Sequence, residues 1–300
     1  MTSPAAIAPA IDRVREGFRD GVVRAVVDRE TQLRQLKRLL VEEEGALTQA
    51  LHDDLGKSAI EAYSTEIGFT LNELEHALGH VRSWTQPQKV RLPLHLRPGS
   101  ARIVQEPLGT VLIIAPWNYP VQLLLGPLIP AFAAGNTAVV KPSEVAPATA
   151  AALADLIPRY LDERAVQVVT GGVDETTELL AHQFDHIFYT GNGTVGRVVM
   201  EAASRHLTPV TLELGGKSPA IVTDPADIPV TARRIAWGKF VNAGQTCIAP
   251  DYVLVPESLH DQLVAELDSS VTAFFGGDPA ASEDYGQIVN ERHHTRLISL

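Results

Sequence analysis

Apolar and polar positions divide the chain into two regimes. Over roughly the first ninety residues the apolar positions recur at helical spacing. Leu33, Leu36, Leu40, Leu47, Leu51 and Leu55 step by three, four or seven, which places them on one helix face. Gly56 follows as a C-cap residue, and Ser58 has Glu61 three places on, the capping-box spacing. Ile60, Tyr63, Ile67, Leu71, Leu74, Leu78 and Val81 then predict a second long helix that ends before Pro87. The first ten residues are rich in Ala and Pro and are expected to fray. From residue 84 to 102 the periodicity stops, and Pro87, Pro93, Pro98 and Gly99 punctuate a basic, extended excursion.

After Pro107 short β-rich runs alternate with helical ones. Strands are expected at 111–114, 137–141, 166–170, 186–190 and 209–213, with helices at 148–161, 176–182 and 195–206. Parallel strands need long crossovers, so this alternation predicts an α/β fold: a parallel, Rossmann-like sheet with helices on both faces. Ligands of such sheets bind beyond the carboxyl ends of the strands.

Composition narrows the functional classes. With 300 residues, 45% of them hydrophobic and 20% charged, the chain can bury a large core and has the length of about two domains. Its 36 acidic against 25 basic residues give a net charge of -11, which argues against nucleic acid or an anionic membrane as partner. One cysteine excludes an intramolecular disulfide and a cysteine-based zinc site. The start, Met1-Thr2-Ser3-Pro4, lacks the features of a signal peptide, and the apolar stretches at 111–115 and 121–134 are too short or too broken to span a bilayer. A cytoplasmic location is expected. His76 and His80 stand four apart with no third metal ligand in view, and they read as solvated or packed. His293 and His294 read as solvated.

Three strand ends carry candidate chemistry. Gly191-Asn192-Gly193-Thr194-Val195-Gly196 has the form G-x-G-x-x-G between a strand and a helix. It reads as a dinucleotide turn or as an ordinary tight turn. The simple fingerprint would give Glu213 to the ribose. Lys141-Pro142-Ser143-Glu144 could grip a sugar edge or a phosphate, or be a solvated loop. Cys247 is the one sulfur nucleophile; its small, polar neighbours suit a reactive loop, although a lone cysteine is often a small core residue.

Five motifs, in order, resemble the aldehyde dehydrogenase superfamily, and within it the class-three-like branch. They are Pro116-Trp117-Asn118-Tyr119-Pro120, Lys141 to Glu144, Tyr189 to Gly196, Leu212-Glu213-Leu214-Gly215-Gly216-Lys217-Ser218-Pro219, and Gly238 to Cys247. The resemblance implies that Cys247 attacks an aldehyde carbon to give a thiohemiacetal. The Asn118 amide and the Cys247 N–H would form the oxyanion hole. Loss of hydride to NAD or NADP would leave a thioester, which Glu213 would hydrolyse as general base; this role displaces the ribose assignment. Lys141 and Glu144 would hold the adenosine ribose, while Trp117, Gly191, Asn192 and Gly196 would bound the cofactor cleft. Relatives that pass the acyl group to coenzyme A generally lack the carboxylate at Glu213, so a free acid is the expected product.

The same resemblance implies an aromatic or medium- to long-chain aliphatic aldehyde as substrate and a homodimer as assembly. It implies a cofactor domain with N-terminal helices over 1–210, and the first part of an α/β catalytic domain over 211–300. The excursion at 84–102 would reach towards the oligomerisation region. Relatives continue beyond the position of residue 300 with a Glu-x-Phe-Gly-Pro-type motif and a late strand. The expectation is therefore a truncated piece, with a catalytically incomplete nucleotide-binding relative as the alternative.

Overall fold

Helical spacing at the start of the chain becomes five helices in the computed structural model, which describes residues 2–223 and 227–300. They are α1 (Pro4–Asp20), α2 (Val26–Glu42), α3 (Glu44–Leu55), α4 (Ala59–Ala62) and α5 (Gly68–Trp84). The six periodic leucines are all fully buried, but on two helices that break at Glu43. Gly56 ends α3 with φ 63°, the left-handed conformation that glycine adopts without strain. Ser58 Oγ accepts the Glu61 N–H, so half of the expected capping box forms.

The second predicted helix is interrupted. A π-helical turn at Tyr63–Ile67 joins α4 to α5. Its extra residue rotates the positions before it by about 100° relative to those after it. Ile67, Leu74 and Val81 are buried in consequence, whereas Ile60 and Tyr63 face outward.

The chain start is not frayed. Ile7, Ile11 and Val14 lie i, i+4, i+7 on α1 and are fully buried. Thr2 N–H donates to the Thr170 carbonyl at 2.9 Å. The alanines and prolines around this triad obscured it in the sequence.

The excursion forms an exposed antiparallel ribbon of β1 (Gln88–Val90) and β2 (Ala101–Ile103). Beyond it come β3 (Thr110–Ile114), α6 (Gln122–Ala134), β4 (Thr137–Lys141), α7 (Pro147–Tyr160), β5 (Val166–Val168), α8 (Val173–Ala181), β6 (His186–Thr190), α9 (Gly193–Ser204) and β7 (Val210–Glu213). The strands pair in the order β5-β4-β3-β6-β7, all parallel. Every residue of β3 and β4 is buried, as expected of strands covered on both faces. Val111, Ile113, Ala138 and Val140 pack with α2, α5, α6 and α7 on one side; Leu112, Ile114, Val139 and Ile187 pack with α1, α8 and α9 on the other.

A smaller βαβ unit follows: β8 (Ser218–Ile221) pairs in parallel with β9 (Pro250–Leu254) across α10 (Ile228–Phe240). Its apolar centre is Val222, Ile228, Ala232 and Leu263, the last from α11 (Glu257–Phe275). The last element is α12 (Glu291–Ile298). Among the described residues, no helix is long and apolar enough to cross a membrane.

Candidate active site

From β3 the chain moves to β4 and β5 on one side, then crosses to β6 and β7 on the other. The order reverses between β3 and β6, and the crevice of such a sheet opens at the carboxyl ends of that pair. Trp117 and Asn118 follow β3, and Gly191 follows β6.

Cys247 is exposed, in a turn after the 3-10 segment Val241–Gly244. Asn242 (φ 55°) and Ala243 (φ 51°) both adopt the left-handed region, which costs non-glycine residues energy and needs outside support. That support comes from several directions. Asn242 is buried, and its Nδ2 donates to the Asn118 carbonyl at 2.7 Å. The Glu61 carboxylate accepts the Asn242 N–H, and burial raises the Glu61 pKa above its usual range. Gln245 Nε2 donates to the Gln287 carbonyl at 2.9 Å, and its Oε1 accepts the Val289 N–H at 3.0 Å. The Tyr119 hydroxyl lies 2.5 Å from Thr246 Oγ1; burial pushes the Tyr119 pKa up to about 12, so the phenol stays neutral.

Asn118 reaches the same turn with its side chain. Its Nδ2 donates to the Gln245 carbonyl at 2.8 Å. An amide nitrogen carries two hydrogens, so one remains for another acceptor. The Cys247 N–H makes no hydrogen bond among the described residues. Glu213 is the last residue of β7; its side chain is exposed and its carbonyl accepts the Gly191 N–H at 2.9 Å. Three residues on, a Cβ on Gly216 would stand 3.3 Å from the Cys247 carbonyl oxygen. The turn after Glu213 therefore runs directly against the cysteine turn.

The other predicted residues line the carboxyl edge. Lys141 ends β4, buried, with Nζ 2.6 Å from Glu144 Oε2, and the Glu144 side chain is half exposed. This ammonium and carboxylate, side by side, supply the donor and acceptor that vicinal sugar hydroxyls require. A Cβ on Gly191 would stand 2.2 Å from Tyr189 Oη, so any larger residue there would have to displace that ring. Asn192 is the N-cap of α9, its Oδ1 accepting the Val195 N–H at 3.0 Å, so the side chain is spent on the helix. Gly196 brings α9 close to the segment after β7, with Leu214 Cδ2 3.1 Å from where a Cβ would be. The first amides of α9 stand at the carboxyl edge, a setting that attracts phosphate.

Trp117 packs against His293 of α12, ring centroids 4.7 Å apart. This corrects the expectation that His293 is solvated. Both its ring nitrogens are buried without a partner among the described residues, and burial, with Arg292 and Arg296 near, holds its pKa below the ordinary value. His294 is exposed. His76 and His80 stack on each other at 4.3 Å, and His80 stacks on Trp84 at 5.6 Å.

The sequence pattern gave no role at the site to Lys57, Glu66, Asn242, Gln245 or His293, and it placed Glu61 only in a helix cap. Asn242 and Gln245 stood within the cysteine motif. Lys57, Glu66 and His293 are distant in sequence and carry no local signal, and the capping-box spacing of Glu61 pointed to the helix rather than to the site.

The chain matches the aldehyde dehydrogenase family over residues 2–300. It is 47% identical to aldehyde dehydrogenase family 3 member B1 of Mus musculus, over 97% of this chain and 62% of that protein. It is 46% identical to the dimeric NADP-preferring aldehyde dehydrogenase of Rattus norvegicus, over 98% of this chain and 65% of that one. The solved substrate-bound state of Staphylococcus aureus AldH superposes with a TM-score of 0.96 at 44% identity, covering 100% of this chain and 65% of that structure. The chain thus spans about three fifths of the length of the curated relatives it matches. With nearly half of its residues shared with such relatives along almost its whole length, the chain belongs to the aldehyde dehydrogenase family.

Proposed function

We propose that the protein oxidises an aldehyde to a carboxylic acid through Cys247, with NAD or NADP as electron acceptor. The observation that carries this reading is the meeting at one turn of Cys247, the Asn118 amide and the segment that follows Glu213. The Cys247 sulfur adds to the carbonyl carbon, and the developing oxyanion takes the second N–H of Asn118 and the free N–H of Cys247. The nicotinamide, when bound, supplies the two-electron acceptor that turns the thiohemiacetal into a thioester. Lys141 and Glu144 would hold the ribose, and Trp117, Gly191, Asn192 and Gly196 would bound the cleft, Asn192 through its backbone. Glu213 takes the proton of the water that cleaves the thioester.

The class-three likeness supports an aromatic or medium- to long-chain aliphatic aldehyde as substrate. The rat relative's name supports a dimer and a phosphorylated or plain dinucleotide. The test is a panel of such aldehydes with each cofactor, read as NAD(P)H formation at about 340 nm. Cys247→Ser is expected to abolish the signal; retained turnover would sink the assigned nucleophile.

A further inference from the structure

Behind the site lies an ion pair that the reaction does not use. Lys57 and Glu66 both have fully buried side chains, with Nζ 2.5 Å from Oε1. Taking two charges out of water carries a desolvation penalty that an apolar pair of similar size avoids, so burial of this pair is not explained by stability. Among the described residues, the further hydrogen bonds of these two side chains all go to one loop. Lys57 Nζ also donates to the Asn118 carbonyl at 3.3 Å and stands 4.2 Å above the Tyr119 ring. Glu66 Oε2 accepts the N–H groups of Val121 at 2.8 Å and Gln122 at 3.1 Å, at the start of α6. The pair therefore grips residues 118–122 at both ends.

Glu66 reaches this position from the π-helical turn Tyr63–Ile67, the only π turn among the described residues. Such turns re-aim a side chain and recur at functional sites. On the far side of the loop, the same Asn118 carbonyl takes the Asn242 amide, and the Asn118 side chain holds Gln245. Asn118 is thus clamped between the helical layer and the cysteine turn.

We propose that the buried Lys57–Glu66 pair is a positioning device that sets the Asn118 amide at the reaction centre; this rests on the reading of Asn118 as an oxyanion donor. Neither residue touches substrate. A donor misplaced by about an ångström costs up to about a hundredfold in rate, and the loss falls on the transition state rather than on ground-state binding.

The test is a double-mutant cycle in the full chain. Lys57→Met with Glu66→Gln removes both charges, so neither is left unpaired. It is expected to lower kcat about tenfold or more with aldehyde KM within about twofold. In an Asn118→Ala background the same pair of changes is expected to alter kcat by less than about threefold. An equal loss in both backgrounds, a loss confined to KM, or a fall in kcat below about threefold in the first background overturns the proposal.

Hydrogen exchange gives a readout independent of turnover. Glu66→Asp keeps the charge balance and shortens the reach. Peptides covering 116–122 and 242–247 are expected to exchange about tenfold faster in it or in the double variant, with β3 and β4 unchanged. Unchanged exchange in those peptides overturns the proposal even if the parent protein turns over no aldehyde, a result that by itself would count against the reaction alone.

Discussion

The side-chain amide of Asn118 donates to the backbone carbonyl of Gln245 at 2.8 Å, across 127 residues of chain. One residue from a strand end of the cofactor sheet and one from the cysteine turn are thereby held in fixed register. Asn118→Ala is expected to lose both the brace and the oxyanion donor. The drop should fall on kcat, by about a hundred- to thousandfold, with a smaller change in KM. Steady-state kinetics on the best aldehyde of the panel would measure it, and a loss confined to KM would contradict the donor role.

Glu213 stands exposed at the end of β7, and the turn that follows it runs against Cys247 at Gly216; the proposed general-base role has it act on water rather than on the first addition. Glu213→Gln is expected to give a burst of one NAD(P)H per active site and then stall as the thioester. Rapid mixing would show it. A variant that binds aldehyde and cofactor but gives no burst would assign Glu213 to an earlier step.

His186 and His293 are both held below the ordinary imidazole value of 6.5, chiefly by burial. Between 6.5 and their lowered folded values the unfolded chain binds protons that the folded one does not. Their contribution to stability is therefore complete above 6.5 and is lost as pH falls through the window below it. The melting temperature should drop from about pH 7.5 to 5.5, less steeply in His293→Leu and in His186→Gln than in the parent. Thermal unfolding at a series of pH values decides this, and parallel curves for parent and variants would refute it.

The N-terminal helix is part of the core, and two substitutions test that. Ile11→Ala should cost about 2–5 kcal/mol, the usual range for emptying a buried site. Gly17→Ala would place a methyl group 2.0 Å from the Arg164 carbonyl oxygen, backbone that cannot step aside cheaply. A loss of about 1–3 kcal/mol in urea unfolding is expected. Frayed ends would leave both variants near the parent.

Much of this molecule is legible in its sequence. The five strands of the main sheet fall within two residues of their expected ends; for β3 and β4, buried along their whole length, the reason is that a parallel strand covered on both faces writes itself as an apolar run. Gly56 as a C-cap and Ser58 as an N-cap were equally local. Cys247, Glu213, Asn118, Lys141 and Glu144 stood out by residue type and by the family resemblance of their motifs, and they remain the proposed site residues. The sequence pattern misled where one local signal masked another: Ala and Pro hid the buried triad on α1, and a single extra residue at Tyr63–Ile67 broke a periodicity that looked continuous.

Tertiary structure alone decided who stands behind the site. Local periodicity reports which face of an element is apolar, so it specifies strands, helices and caps. It is blind to a polar group whose partner is 55 or 61 residues away, as Glu66 is from Val121 and Lys57 from Asn118. A buried charge has no signature in the chain around it. Its meaning comes only from the groups that folding brings within hydrogen-bond reach, where low dielectric makes each such contact count.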